Sequence, residues 1–276
     1  RVFELIASNT MVVSNYSRGV RLLFGDHIIC SDNQIETLSR LKDNSLELNK
    51  NKIKLSGLRE VLSSHTYGER LRYILSKVSN YVAKTINPEV LMLCKITSIS
   101  DFENAIILFN SQTYQWKKML IVNYCEEELD PTEIENVNVI DANLSSNKLA
   151  DVSIASDYIS VLDLDRFYGE NYILDLALST LYCKAGILTK GSFYSKSDEG
   201  LYISNSKSSY RYVEHFFSHK SLIKTGLVSD DSISDIVNHE LDNPIINSSE
   251  VFSTDSFNYC ETSDLLDEEI KIIENK

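Results

Sequence analysis

The stretch Asp157-Tyr-Ile-Ser-Val-Leu-Asp163-Leu-Asp165-Arg-Phe-Tyr-Gly-Glu-Asn171-Tyr172 decides the fold. A mostly apolar run ends abruptly in two carboxylates two residues apart. In an extended chain that spacing puts both side chains on one side. A buried strand that stops at polar residues suits the C-terminal edge of an open α/β sheet, where such folds bind ligands. Two oxygen ligands there suit Mg²⁺ or Mn²⁺ bridging a diphosphate. Asp163 and Asp165 are therefore candidate metal ligands. A solvated turn is the other reading of the same residues.

Working outward, Val90-Leu-Met-Leu-Cys-Lys-Ile96 is a nearly continuous apolar run, as expected of a strand covered on both faces. Ser100-Asp101 reads as the cap of a helix over 102–111. Residues 119–122, 137–140 and 157–162 read as further strands, which suggests a mainly parallel sheet with crossovers. A long helix is expected over 172–184 and a strand over 186–194. Residues 202–203 and 210–213 read as strands of a smaller sheet. Short helices are expected over 232–239 and 264–274, the last acidic and amphipathic. The region before residue 85 alternates short elements. Helices are expected over 1–7, 17–24, 33–42, 56–63 and 67–82, with short strands at 11–13 and 27–30.

The 276 residues allow one large or two medium domains. Lys and Arg number 27 against 40 Asp and Glu, a net charge of −13, which speaks against a general nucleic-acid binder. The charge is uneven. Residues 1–85 sum to +5 and residues 86–276 to −18. With the Asn87-Pro88 turn signal, this places a boundary near 85–88 and gives two units, 1–85 and 86–276. The five cysteines, Cys30, Cys94, Cys125, Cys183 and Cys260, form no C-x-x-C pair. They argue for a reducing compartment, and so for a cytoplasmic location, rather than for a disulfide scaffold or zinc ribbon. No apolar run approaches the roughly 18 residues of a membrane span. Membrane association is expected, if at all, through partners. The opening Arg-Val-Phe-Glu shows no signal-peptide pattern and reads as the start of a fragment. No G-x-S-x-G occurs, so a serine-hydrolase site has no support.

Two motif stretches resemble a known family. "DYISVLDLDRFYGENYILDLAL" is similar to the D-x-D region of GT-A glycosyltransferases, where a strand end holds the metal of a sugar nucleotide. The pattern resembles bacterial glycosyltransferases whose GT-A domain is fused behind a GT-B-like one. Their D-D-x-Y-G-x-N-Y-L-x-D-L is matched by Asp163, Asp165, Tyr168, Gly169, Asn171, Tyr172 and Asp175. Their later Y-S-x-D-x-F-N-F is matched by Phe252-Ser-Thr-Asp-Ser-Phe-Asn-Tyr259. The first region, "RVFELIASNTMVVSNYSRGVRLLFGDHIICSD" with "SSHTYGERLRYIL", resembles the nucleotide-side half of GT-B glycosyltransferases of the spore-maturation type. Arg1 and Glu4 occupy its motif positions, and Glu4 reads equally as a packing or surface residue.

The resemblance implies an α/β fold: a GT-A-like, mainly parallel sheet flanked by helices, preceded by a small Rossmann-like remnant of a GT-B unit with a helical tail. It implies a hexosyltransferase that takes a sugar from a nucleotide diphosphate sugar with Mn²⁺ or Mg²⁺, with inversion. The acceptor would be a cell-surface glycan, a teichoic-acid-like polymer or a protein. Asp163 and Asp165 would hold the metal. Thr97, Asn123, Lys148 and Asp163 would line the nucleotide-sugar site. Asp230 or Asp231 would be the base that deprotonates the acceptor, or simply part of a helix cap. The sequence departs from the family where the second strand ends in Asn123 rather than an acidic pair. It departs again at 147–151, where Lys148 replaces an Arg. Arg166 stands where a third carboxylate is common. His215 and His219, four apart, could share a metal on a helix, although no third ligand is near. These departures keep a second reading open, a non-catalytic GT-A-like module that binds or assembles with a partner glycosyltransferase. A nucleotidyltransferase with the same two-carboxylate logic lacks its Gly-rich basic loop.

Overall fold

The computed structural model describes all residues except 44–46, 79–86, 127–128, 130–133, 153, 240, 242–249 and 276. The chain divides into two compact units. One comprises residues 1–85 with 275–276, the other residues 86–274.

The first unit holds helices α1 (Val2–Ala7), α2 (Arg18–Phe24), α3 (Gln34–Asp43), α4 (Glu47–Ser64) and α5 (Tyr67–Val78). Two short strands, β1 (Val13–Ser14) and β2 (Ile29–Cys30), pair in parallel. Ile6, Val12, Phe24, Ile28, Cys30 and Val61 form its core. Helix α4 is longer than the expected 56–63. It packs on α1 at Gly57, where an added Cβ would lie 3.0 Å from Ile6. Asn275 belongs to this unit, donating to the Lys52 carbonyl at 2.9 Å and accepting from Ser56 Oγ at 3.0 Å. The expected helix over 67–82 is seen to Val78, and residues 79–82 and 85–86 of the expected elements and boundary lie outside the described residues.

In the second unit the strand expected at 90–96 forms with those bounds as β3 (Val90–Ile96). Then come α6 (Ile99–Ser111), β4 (Lys117–Asn123), β5 (Val137–Asp141), β6 (Tyr158–Leu162), β7 (Phe167–Tyr168) and α7 (Tyr172–Ser179). The rest is β8 (Ile187–Thr189), β9 (Phe193–Ser197), β10 (Gly200–Ser204), β11 (Arg211–Tyr212), β12 (Ser221–Lys224), α8 (Ile233–Val237), β13 (Val251–Ser253), β14 (Tyr259–Cys260) and α9 (Asp267–Ile273). The main sheet is eight-stranded in the order β11-β13-β8-β12-β6-β3-β4-β5. Its β6-β3-β4-β5 half is wholly parallel. Strand β12 runs antiparallel to both neighbours, β8 and β13 are parallel, and β11 closes the edge antiparallel. The fold is mixed α/β, with the parallel half as expected.

Alternation along β3 separates two core layers. Val90, Met92, Cys94 and Ile96 face Ala105 and Phe109 of α6 and the α7 side. Leu91 and Leu93 face Ile233, Ile236 and Val237 of α8. Burial on both faces explains why this strand carries no polar alternation, and each buried Leu or Ile adds about 1.5–3 kcal/mol of transfer energy.

Three expectations are corrected. The long helix over 172–184 stops at Ser179. There the Ser179 and Thr180 hydroxyls bond back to the Leu176 and Ala177 carbonyls, a local alternative to the helical ladder. The strand over 186–194 is two strands in different sheets, β8 and β9. The break falls at Lys190, which is buried with Nζ 2.8 Å from Asp255 Oδ2 and 3.8 Å from Asp175 Oδ2. Of the two strands expected in a smaller sheet, β10 lies there, in the order β10-β9-β14-β7, but β11 joins the main sheet.

Candidate functional site

The parallel half creates a switch point. From β3 the chain goes outward through β4 and β5, then returns to place β6 on the other side of β3. The crevice at the C-terminal ends of β3 and β6 is where such sheets take ligands. Register fixes what stands there. Ile96 pairs with Asn123, Asn123 with Asp141, and Cys94 with Leu162, so these strand ends share one edge. A cavity of about 300 Å³ opens there, lined by Lys95, Thr97, Asp101, Asp163, Leu164, Asp165, His239 and neighbouring apolar residues.

Asp163 and Asp165 both line this cavity, although they reach it differently from the expected extended geometry. The Arg166 N–H donates to the Asp163 carbonyl at 3.0 Å, so 163–166 is a tight turn. Asp163 Oδ1 accepts the Asp165 N–H at 3.1 Å, and Oδ2 accepts from Arg166 Nε at 3.2 Å. Asp165 is exposed. The Asp163 N–H donates to Tyr168 Oη at 3.0 Å, and that hydroxyl donates to the His219 carbonyl at 2.7 Å. Behind Asp163, the Arg166 guanidinium also pairs with Glu261, which meets Lys220 Nζ at 3.0 Å. Lys220 in turn lies 3.4 Å from the Phe193 ring centroid. Burial by itself would raise the Glu261 carboxyl, but His219, Lys220 and Arg166 outweigh it and hold it down at about 2.

Thr97 lines the cavity too. Its N–H and hydroxyl both donate to Asp101 Oδ2 at 2.8 Å, which lowers the Asp101 carboxyl. Ser98, rather than Ser100-Asp101, caps α6, its Oγ accepting the Asp101 N–H at 3.1 Å. Asn123 closes β4 at the same sheet edge, but it is buried and its Oδ1 accepts the Cys125 N–H at 2.8 Å.

Lys148, Asp230 and Asp231 are not among the residues lining this cavity. Lys148 Nζ pairs with Asp230 at 3.1 Å, and Lys148 bridges Ser232. Helix α8 is capped by Ser232, whose Oγ accepts the Asp235 N–H at 3.1 Å, so neither Asp is the cap. These groups sit at the N-terminal end of α8, whereas Val237 and His239 at its other end line the cavity. His215 and His219 share no helix. His215 is exposed in an irregular segment, and His219 is buried in a short helical turn, Ser218–Lys220. Among the described residues, no group of three or more His, Cys, Asp or Glu is placed to hold a metal ion.

Three polar cavity residues were not read as site residues: Asp101, taken only as part of a helix cap, Lys95 and His239. Lys95 left a signal, as the single charged and exposed position in an otherwise buried β3; its Nζ donates to Asn238 at 3.1 Å. His239 left none. It adopts φ 62°, and its Nδ1 lies 2.7 Å from Ser218 Oγ.

The remaining motif residues do not line the cavity but pack on one another behind Asp163. Tyr168 pairs with Tyr259 across β7 and β14. The Gly169 N–H donates to the Asn258 carbonyl at 3.0 Å, and Asn258 Nδ2 donates to Asp175 at 2.9 Å. The two family-like stretches, nearly a hundred residues apart, thus lock together.

Residues 1–76 match the model of a family described as glycosyl transferase-like, a match that lies within the first unit and leaves the second outside it. No curated protein matches the chain. Among solved structures, the chain is similar to S. aureus TarS 1-349, with 11% identity and a TM-score of 0.41, covering 63% of this chain and 60% of that one. The same protein crystallised with UDP-GlcNAc gives 12% identity and a TM-score of 0.41 over 66% and 60% of the two chains. A longer TarS structure gives 12% and 0.44 over 63% and 36%. The chain therefore spans about three-fifths or less of the chains it is similar to. Among the described residues, no helix is long and apolar enough to cross a membrane.

Proposed function

We propose that the second unit binds a nucleotide diphosphate sugar at the β3–β6 crevice and transfers its sugar, with inversion, to a glycan, teichoic-acid-like or protein acceptor. The observation that carries this is the meeting of Thr97, Asp163 and Asp165 in one polar cavity at the switch point of a parallel sheet. The match of residues 1–76 to a glycosyl transferase-like family supports a glycosyltransferase reading of the chain, from its first unit.

The donor set fits Mn²⁺ or Mg²⁺. Asp163 and Asp165 would supply two hard oxygen ligands, the kind such ions take beside phosphates. Asp163 and Asp165 would hold the ion, which would supply Lewis-acid stabilisation of the leaving diphosphate. Arg166 fixes the Asp163 carboxylate in one orientation. Thr97 Oγ1, already donating to Asp101, retains acceptor capacity toward a nucleotide donor group. Lys95 brings a positive charge to the cavity wall. Asn123 would meet the base and Lys148 the diphosphate only by leaving their present partners. Asp230 or Asp231 would act on the acceptor hydroxyl only if that hydroxyl lay at the N-terminal end of α8, away from the residues that line the cavity.

The second reading, a binding module without catalysis, is favoured by the engagement of both Asp163 oxygens and by the Lys148–Asp230 pair. One assay separates the two. The full chain is incubated with Mn²⁺ and a panel of UDP-, GDP- and TDP-sugars, UDP-GlcNAc among them, and Tm and nucleoside diphosphate release are followed. The transferase reading predicts one sugar nucleotide that both raises Tm and is slowly hydrolysed. A raised Tm without release supports the binding module, and no response to any of them refutes both.

A further inference from the structure

Helix α5 is unlike the other long helix of its unit. Whereas α4 sends Leu55, Leu58 and Val61 inward, no residue of α5 is buried. Its apolar residues are nevertheless ordered. Tyr67, Leu71, Ile74 and Val78 follow each other by four, three and four, which puts them on one face of a helix. They are 90%, 58%, 55% and 74% exposed. A stripe of this kind left in water needs a partner.

The surrounding charge says which partner. Arg70 and Lys77 flank the stripe and are exposed, while Arg72, on another face of the helix and partly buried, is paired with Glu69, the one acidic residue of the helix. Arg70 lies over the Phe3 ring at 4.1 Å and Lys77 over Tyr73 at 5.3 Å, so both cations are held against the aromatic surface of this unit. Tyr67 and Tyr73, both exposed, have the apolar body and polar tip that suit a membrane–water boundary. Residues 1–85 sum to +5. A second copy of the same face would bring these cations against their like, which disfavours self-pairing. An anionic surface would attract them.

We propose that α5 docks on an anionic lipid surface, lying in its plane with the Tyr67–Leu71–Ile74–Val78 face embedded and the basic residues at the headgroups. This inference does not depend on the sugar-transfer reading.

The test is co-sedimentation of the full chain with vesicles of phosphatidylcholine alone, and of phosphatidylcholine with phosphatidylglycerol. The wild type is expected to sediment with the anionic vesicles only, and less as salt is raised, because screening shortens the reach of the cations. The double variant L71E/I74E, changed at exposed positions, should keep its Tm and circular dichroism yet bind at least about fivefold less. No sedimentation of the wild type, or equal sedimentation of the variant, overturns the proposal. So does light scattering that finds a wild-type dimer which the variant dissociates, since a second copy would then be the occupant.

Discussion

Arg166 joins two carboxylates that are 98 residues apart in the chain, Asp163 at the cavity and Glu261 behind it. Read from the sequence, Arg166 was a missing third acid. In the fold it is what orients the first. Asp163 and Asp165 were legible because a buried strand ended on them, but Glu261 and Lys220 were not, because no spacing links residues brought together only by the second sheet. Glu261 carries a pH signature. Its carboxyl sits at about 2 when folded, below its ordinary 4.5. A depressed carboxyl contributes stability that is complete above the unfolded value and is lost as pH falls from about 4.5 through 2. Replacing it with Gln should cost about 1.5–3 kcal/mol at neutral pH, the range for hydrogen bonds to charged groups. Denaturant melts of wild type and E261Q should converge as pH is lowered across that window. A gap that stays constant from pH 7 to 2.5 would show that the carboxylate charge contributes nothing.

Elements were legible where one physical cause dominated. β3 was read with its observed bounds because burial on both faces made it apolar throughout. The strand expected over 186–194 failed because Lys190 looks like a solvated residue in a sequence, while in the structure it turns inward to Asp255 and Asp175 and sends the chain into another sheet. The Y-G-x-N-Y and S-T-D-S-F-N-Y stretches were recognised as motifs, yet what they do is mutual packing. Gly169 is the sharpest point of that contact. A Cβ there would lie 2.7 Å from Asn258 Oδ1 and 3.2 Å from Asn258 Cα. The side chain can give way, but the backbone is fixed by the Gly169–Asn258 hydrogen bond. G169A should therefore lose about 1–3 kcal/mol, the usual cost of overpacking. Thermal melting of G169A at or above the wild-type Tm would mean that the two motifs are not clamped there.

Over the whole molecule, composition and charge mark a +5 region over 1–85 and a −18 region over 86–276, while the compact units are residues 1–85 with 275–276 and residues 86–274, so the end of the chain returns to the first. The antiparallel β12, and the place of β11 at the edge of the main sheet, were beyond sequence reasoning, since strand order depends on contacts between segments far apart in the chain. The central claim concerns the crevice between β3 and β6, and one measurement bears on it directly. A nucleotide diphosphate sugar with Mn²⁺ is titrated by calorimetry into wild type, D163N and D165N. Each Asn keeps the size of the side chain and removes a charge that would balance the ion. Metal-dependent affinity should fall by more than tenfold in each variant, a loss of about 1.4 kcal/mol or more. The ligand-free Tm of D165N should change little, because that carboxylate is exposed. D163N should also lose some stability through loss of the Asp163 bonds to Arg166 and the Asp165 N–H, which leaves the ligand-free melt as the control for the affinity change. Equal affinity in all three proteins, with and without EDTA, would contradict the account and leave Asp163 and Asp165 as an ordinary turn.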